Sequence, residues 1–428
     1  MDITITEANN TALLVGLNTE NTDFDKYMEE LDNLAEACEF EVIGKLVQSL
    51  PHPTPNLYLG SGKVDEISEL VTNMEIGVCI FEDTLSPVQL KNLSKRIPCK
   101  IMDRTGLILE IFEKRARTRE AKLQVESARL QYMLPRLIGM WEAIGRQGGT
   151  SGSKSSKGIG ETQLELDRRW IQKRIIELNR ELTRIEHDRD VQRRKREKGN
   201  LPLVALVGYT NAGKSTIMNR LLEYCNNDSA EKTVFEKDML FATLDTQVRR
   251  ISTPNNKDFL LSDTVGFLEK LPHGLIKAFR STLEEIKYAD LLIEVVDLAD
   301  ENHEAQMAVT RETLKELSAD TLPIIHVMNK CDRTGELIPY PKINDDKIYI
   351  SAATGRGINE LIEYIQSIIY KDNEKNSYLI PYSKGNIVNE INENAEVLTL
   401  EYREDGVFIT ANVPKYLAGK YKDCLTQQ

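Results

Sequence analysis

What the chain lacks narrows the field first. Its 428 residues hold six cysteines, Cys38, Cys79, Cys99, Cys225, Cys331 and Cys424, far apart and with no C-x-x-C. Such spacing suggests neither a disulfide framework nor a zinc site, and it fits a reducing, cytoplasmic setting. No apolar run approaches the ~18–20 residues that a membrane helix needs, so no membrane span is expected, which leaves peripheral association with a membrane open. Met1-Asp2-Ile3-Thr4 lacks the basic-then-apolar shape of a signal peptide. Positive charge is outweighed by negative over most of the chain, whose net charge is −12. It is concentrated in residues 113–198, with 22 Lys+Arg against 13 Asp+Glu, which leaves −21 on the remainder. A basic segment inside an acidic protein is either an electrostatic footprint for nucleic acid or a solvated helical face.

What is present suits a folded chain of about three domains, with 41% apolar and 29% charged residues. Residues 1–112 alternate strand-like and helix-like runs, as a small α/β domain with a mostly parallel sheet does. Strands are expected at Ala12–Leu17, Glu39–Leu50, Gly77–Glu82 and Lys100–Asp103. Helices are expected at Asp23–Cys38, at Val64–Thr72 behind Gly60-Ser61-Gly62-Lys63, and after the Ser86-Pro87 start signal. Gly60–Lys63 looks like a phosphate loop but lacks its full spacing, and a tight turn between strand and helix is the favoured reading.

Residues 113–198 change character. Ala116, Leu123, Leu130 and Leu137 recur every seven residues, and Ile171, Ile175, Leu178, Leu182 and Ile185 step by four and three. Both are coiled-coil seams. Between them lies a glycine-rich stretch, 145–160, expected as a flexible tip. The segment reads as an antiparallel helical hairpin, with Arg136, Arg146, Lys154 and Lys157 at or near a tip that could follow a phosphate backbone.

Residues 200–371 carry the chemistry. Leu203–Val207 reads as a buried strand and Thr216–Tyr224 as the start of a helix. Between them stands Gly208-Tyr209-Thr210-Asn211-Ala212-Gly213-Lys214-Ser215, the pattern G-x-x-x-x-G-K-S. Such a turn aims backbone N–H groups at a polyphosphate, with Lys214 for the β/γ-phosphates and the Ser215 hydroxyl for Mg²⁺. Asp263-Thr264-Val265-Gly266 follows a strand and places a carboxylate beside an Mg²⁺-bound water, with the Gly266 N–H for the γ-phosphate. Asn329-Lys330-Cys331-Asp332 reads the base. The Asp332 carboxylate would accept from guanine N1–H and N2–H₂, a donor pair that adenine lacks. Asn329 would brace the site and the Lys330 stem would lie along the base. The backbone of Ser351-Ala352-Ala353 would meet guanine O6. Phe241-Ala242-Thr243-Leu244-Asp245-Thr246 supplies the switch threonine for Mg²⁺, with Thr243 as the choice and Thr246 as the alternative. Together these motifs specify a doubly wound P-loop domain for GTP and GDP, with Lys214, Thr243 and Gly266 as the catalytic set. Residues 373–428 form a small α+β appendage, with strands at Val397–Tyr402 and Val407–Val413, a helix near Lys384–Ile391, and no evident chemistry.

These motifs, with Gly160-Glu161-Thr162-Gln163-Leu164-Glu165 after the tip and Phe241–Asp245, resemble the HflX family of translation-associated GTPases over essentially the whole chain. The resemblance implies GTP hydrolysis, binding to the large ribosomal subunit and its rRNA, and a role in splitting or rescuing stalled ribosomes or in their biogenesis under stress. It also assigns Phe241–Asp245 to the switch and Thr243 to the metal. A monomer is expected when free. Two residues add expectations of their own. Phe267 stands where Ras-like enzymes carry a water-orienting Gln, so intrinsic turnover should be slow until a partner accelerates it. Asn211 either recruits K⁺ to the developing charge or only shapes the turn. The competing functions are a non-catalytic GTP-dependent RNA-binding switch and a GTPase serving RNA modification, for which Cys424 is the sole reactive-thiol candidate.

Overall fold

The computed structural model describes residues 10–19, 24–147, 156–197, 201–225, 241, 247–264, 266–268, 283–335 and 339–426, with side chains left undescribed at 138–147, 156–164, 190, 192–197, 225 and 284. The chain forms two compact units.

The first unit takes in Met1–Gln192 and, from further along the chain, Phe241. It begins with strands β1 (Thr11–Asn18), β2 (Glu41–Ser49), β3 (Val78–Phe81) and β4 (Lys100–Asp103). They form one parallel sheet in the order β2-β1-β3-β4. Helices α1 (Phe24–Ala37), α2 (Ser61–Asn73), α3 (Pro87–Arg96) and α4 (Arg104–Arg115) connect and follow the strands. Both faces of β1 are buried, which is why Ala12–Leu17 is a continuous apolar run. Ser86 and Gln89 close a reciprocal capping box at the start of α3, with Pro87 in its first turn.

Two long helices follow, α5 (Arg119–Gln147) and α6 (Ser156–Glu197), so helix takes in both ends of the glycine-rich stretch. Arg119 pairs with Glu181, Arg174 with Glu126 and Arg189 with Glu120, partners that run in opposite directions along an antiparallel hairpin. Leu123, Ile171 and Leu178 are buried as the seams require. Ala116, by contrast, caps α4, so the first seam starts at Leu123. Asp103 at the end of β4 anchors α5. Its carboxylate accepts from the Leu85 and Gly106 N–H groups, the Tyr132 hydroxyl and Arg136. Arg136, expected to serve the tip, is therefore engaged inside the fold, where it also stacks on Tyr132.

The second unit holds β5 (Leu203–Val207), α7 (Lys214–Cys225), β6 (Gln247–Ile251), β7 (Phe259–Asp263), β8 (Leu291–Asp297), α8 (His303–Glu316), β9 (Ile324–Asn329), β10 (Lys342–Asn344), β11 (Lys347–Tyr349) and α9 (Ile358–Ile369). The sheet order is β10-β11-β9-β8-β5-β7-β6. Strands β11 to β7 are parallel, and β10 and β6 add antiparallel edges. Strand β5 lies between β7 and β8, so consecutive connections diverge from its carboxyl end and open a crevice there. Asp290 locks that register: its carboxylate accepts from the Leu203 N–H, and its own N–H donates to the Leu203 carbonyl.

Beyond α9 lie β12 (Glu374–Ile380), α10 (Gly385–Asn394), β13 (Glu396–Arg403), β14 (Gly406–Val413) and α11 (Lys415–Lys420). The order β12-β14-β13 is antiparallel throughout. Sequence reasoning missed β12, because Glu374-Lys375-Asn376-Ser377 gives an edge strand no apolar alternation. Lys257 pairs with Glu396, and the Asn256 amide donates to the Asn392 carbonyl, tying the β6–β7 turn to this small sheet. Among the described residues no helix is long and apolar enough to cross a membrane.

Candidate nucleotide site

The site is built at the carboxyl end of β5. There the chain must reverse into α7 within a few residues, and three residues adopt positive φ: Gly208 at 134°, Asn211 at 61° and Gly213 at 99°. A Cβ on Gly208 would lie 2.4 Å from the Val295 carbonyl oxygen, and one on Gly213 2.3 Å from Asn329 Nδ2. Glycine is thus required by both backbone angle and space.

Lys214 opens α7 and turns back over the loop. Its Nζ donates to the Gly208 and Tyr209 carbonyls at 3.0 and 2.6 Å. Burial lowers its pKa to about 8, against an opposing pull from Asp263 and with a smaller push from Lys330. The Ser215 hydroxyl donates to Asp263 Oδ2 at 2.9 Å. Asp263 is fully buried at the end of β7, and the Thr264 hydroxyl fixes the next turn by donating to the Leu206 carbonyl. A Cβ on Gly266 would stand 2.8 Å from Thr210 Cα and 3.0 Å from Lys214 Nζ, so this glycine lets the second loop close on the first. Phe267 completes the closure. Its N–H donates to the Gly208 carbonyl and its carbonyl accepts from the Thr210 N–H, while its ring is buried. The Thr210 hydroxyl, also buried, has no partner among the described residues.

The base end is equally connected. Asn329 donates through Nδ2 to the Ala212 carbonyl and accepts at Oδ1 from the Ala352 N–H, both at 2.9 Å, so one side chain joins three loops. The Ser351 hydroxyl donates to Asp332 Oδ1 at 2.6 Å and orients that exposed carboxylate. Lys330 adopts φ 61° and its ammonium pairs with Asp297 Oδ2 at 2.7 Å. Asp297 is a contributor that the motifs did not name, although its place at the carboxyl end of β8 is legible. The Cys331 thiol is buried against the Met328 carbonyl and burial pushes its pKa up to about 11, so Cys331 takes part through its backbone alone.

Gly208–Ser215, Asp263, Thr264, Gly266, Asn329–Asp332 and Ser351–Ala353 therefore converge in the second unit. Ala242, Thr243, Leu244, Asp245, Thr246 and Val265 lie outside the described residues. Phe241 is described, and its ring packs edge-on against Phe112 at 4.8 Å in the first unit. Chemically, the positive-φ turn, the helix N-terminus and Lys214 make a cradle for phosphate oxygens. Ser215 and Asp263, two adjacent hard-oxygen donors, fit Mg²⁺.

Residues 25–113 match the family described as GTP-binding GTPase N-terminal, residues 115–196 the GTP-binding GTPase Middle Region, and residues 203–330 the 50S ribosome-binding GTPase family. The GTPase HflX of Caldanaerobacter subterraneus subsp. tengcongensis is 41% identical over 402 residues, 94% of this chain and 90% of that protein. The GTPase HflX of Lacrimispora saccharolytica is 38% identical over 98% of this chain and 97% of its own length. That of Escherichia coli is 37% identical over 89% of this chain and 88% of its own length.

Proposed function

The chain belongs to the HflX family of GTPases, and on that premise we propose that it is a GTP-hydrolysing factor of the large ribosomal subunit, slow alone and accelerated by that subunit. The match of residues 203–330 to a 50S ribosome-binding GTPase family supports the partner, and the basic hairpin supports contact with its rRNA. The proposed task is splitting or rescue of stalled ribosomes, or their biogenesis under stress, by a protein that is monomeric when free.

The observation that carries the slow-alone reading is Phe267. The position that would orient the attacking water holds a buried ring whose backbone is bonded to the phosphate loop. It offers no polar group to water. What the chain does supply is positioning and charge. Lys214 would exchange its two carbonyl partners for the β- and γ-phosphate oxygens, and the α7 N-terminus and Gly266 N–H would face the developing charge. Ser215, with Asp263 beside it and Thr243 as the switch residue, would hold Mg²⁺, which would supply positive charge against the phosphates. Asp332, steadied by Ser351, would accept from guanine N1–H and N2–H₂. For K⁺, Asn211 is again the residue concerned. Its left-handed backbone already gives Asn a reason to be there, so rates in K⁺ and Na⁺ decide: equal rates assign Asn211 to the turn alone.

The deciding experiment is phosphate release with and without large subunits, joined to sedimentation in GDP, GTP and a non-hydrolysable GTP analogue. Cosedimentation in the triphosphate states and a large rise in turnover are expected. Fast turnover indifferent to subunits would overturn the reading, and no turnover in either condition would favour a non-catalytic switch. The RNA-modification alternative loses ground to Cys424, which is buried in the core of the C-terminal sheet.

A further inference from the structure

Arg220 has no place in any nucleotide motif, yet it reaches the base-reading loop. It lies on α7, the helix whose first residues cradle the phosphates. Its Nε donates to the Ala352 carbonyl at 3.0 Å and its Nη2 to the Ala353 carbonyl at 2.8 Å. The third nitrogen, Nη1, is held by Glu223 Oε2 at 2.9 Å, one turn along the same helix. The rigid guanidinium fork thus grips two successive carbonyls at once, a geometry that a lysine cannot reproduce.

The consequence follows from peptide planarity. The only cis bond among the described residues is Tyr340–Pro341, so the 352–353 peptide is trans and its C=O and N–H point in opposite directions. Holding the Ala352 carbonyl on α7 therefore turns the Ala353 N–H away from α7. The neighbouring amides are committed: the Ala352 N–H goes to Asn329 Oδ1 and the Thr354 N–H to Ser351 Oγ. The Ala353 N–H between them has no partner among the described residues, and Ala353 is exposed.

We propose that Arg220 is a positioning residue for guanine recognition, which fixes the Ala352–Ala353 peptide so that the Ala353 N–H meets base O6. This rests on the reading of Asn329–Asp332 and Ser351–Ala353 as the guanine site. The cation also polarises the peptide it binds, which strengthens the opposed N–H as a donor. Through Arg220 and the Asn329–Ala212 bond, the base loop is braced to the same helix and loop that hold the phosphates.

The test compares GDP with 6-thio-GDP, which keeps both donors for Asp332 but replaces O6 with a poorly accepting sulfur. In the full chain, Arg220→Ala should weaken GDP about 10-fold, the size of one charge-supported hydrogen bond. It should leave 6-thio-GDP within about twofold, and KM for GTP should rise while kcat holds. Arg220→Lys, which keeps one charged nitrogen but not the planar fork, should fall between the two and carries the same comparison should the alanine variant fail to fold. Equal loss for both nucleotides would reduce Arg220 to a general brace and overturn the proposal, as would an unchanged GDP affinity. Asp332→Asn is the separate control. It should shift preference from GDP toward xanthosine diphosphate, whose C2 carbonyl suits an amide donor. If it does not, the reading of the base loop fails, whatever Arg220 does.

Discussion

Two glycine-rich segments among the described residues open a helix and carry a lysine, Gly208–Ser215 directly after a strand and Gly60–Lys63 at the end of a longer connector, and only the first is built as a site. At Gly208–Ser215 the backbone runs through positive φ three times, and a Cβ on Gly208 or Gly213 would collide with backbone or with Asn329. The lysine folds back over the loop and is buried on its carbonyls. At Gly60–Lys63 the angles are ordinary. Gly60 sits at φ −67° and its N–H is taken by the Gln48 side chain. A Cβ on Gly62 would meet nothing within 4 Å. Lys63 points along its own helix to Glu66 at 2.9 Å. A ligand cradle needs backbone amides left unpaired and a conformation that side chains would obstruct; glycine content alone supplies neither.

The largest contrast should come from the glycines themselves. Gly213→Ala forces a side chain into φ 99° and against Asn329, and should weaken GDP at least about 100-fold, measured by titration calorimetry. A variant that binds normally would show that the crowding at Gly213 is relieved by small shifts. The lysines come next. Lys214→Ala removes a buried cation from the phosphate oxygens and should cost roughly 10- to 100-fold in GDP affinity. Lys63→Ala should leave that affinity unchanged. If both lysine variants lost GDP equally, the two turns would not differ in kind.

How much of this was legible follows from the same contrast. The G-x-x-x-x-G-K-S, D-x-x-G and N-K-x-D patterns are short because each is tied to a strand end, and the sheet places those ends side by side. Spacing along the chain therefore reports proximity. Asp297 and Arg220 escaped because their roles depend on where β8 and α7 lie beside the base loop, which no local pattern encodes. Arg136 misled for a related reason. Its charge is visible in sequence, but the buried carboxylate that claims it, Asp103, is 33 residues away. Strand β12 escaped because an edge strand is chosen by its partner, here β14, more than by its own residues.

A pH titration sharpens the comparison at Lys214 alone. Burial holds its pKa near 8 in the free protein, whereas bound phosphates favour the ammonium and raise it. Below about 8 the lysine is already charged and binding needs no added proton. As pH rises through about 8, the free protein loses the proton that the complex must keep. GDP affinity should then fall by up to about tenfold per pH unit until the pKa of the complex is reached. Binding measured from pH 7 to 9.5 should bend near 8 in the wild type and stay flat in Lys214→Ala. A bend that survives the substitution would assign the titration to another group.

The smallest effect has the opposite sign. Gly62 lies in the first turn of α2, with an exposed position and open space where a Cβ would go. Glycine there costs helix stability through the freedom it keeps in the unfolded chain, and no close approach compensates. Gly62→Ala should therefore stabilise the first unit by about 0.5–1 kcal/mol, read as a shift in its unfolding midpoint. Nucleotide affinity should not change. A loss of stability, or any change in GDP or ATP binding, would mean that Gly60–Lys63 contacts something its geometry gives no sign of. The difference between the two turns would then lie in their ligands instead of in whether they have one.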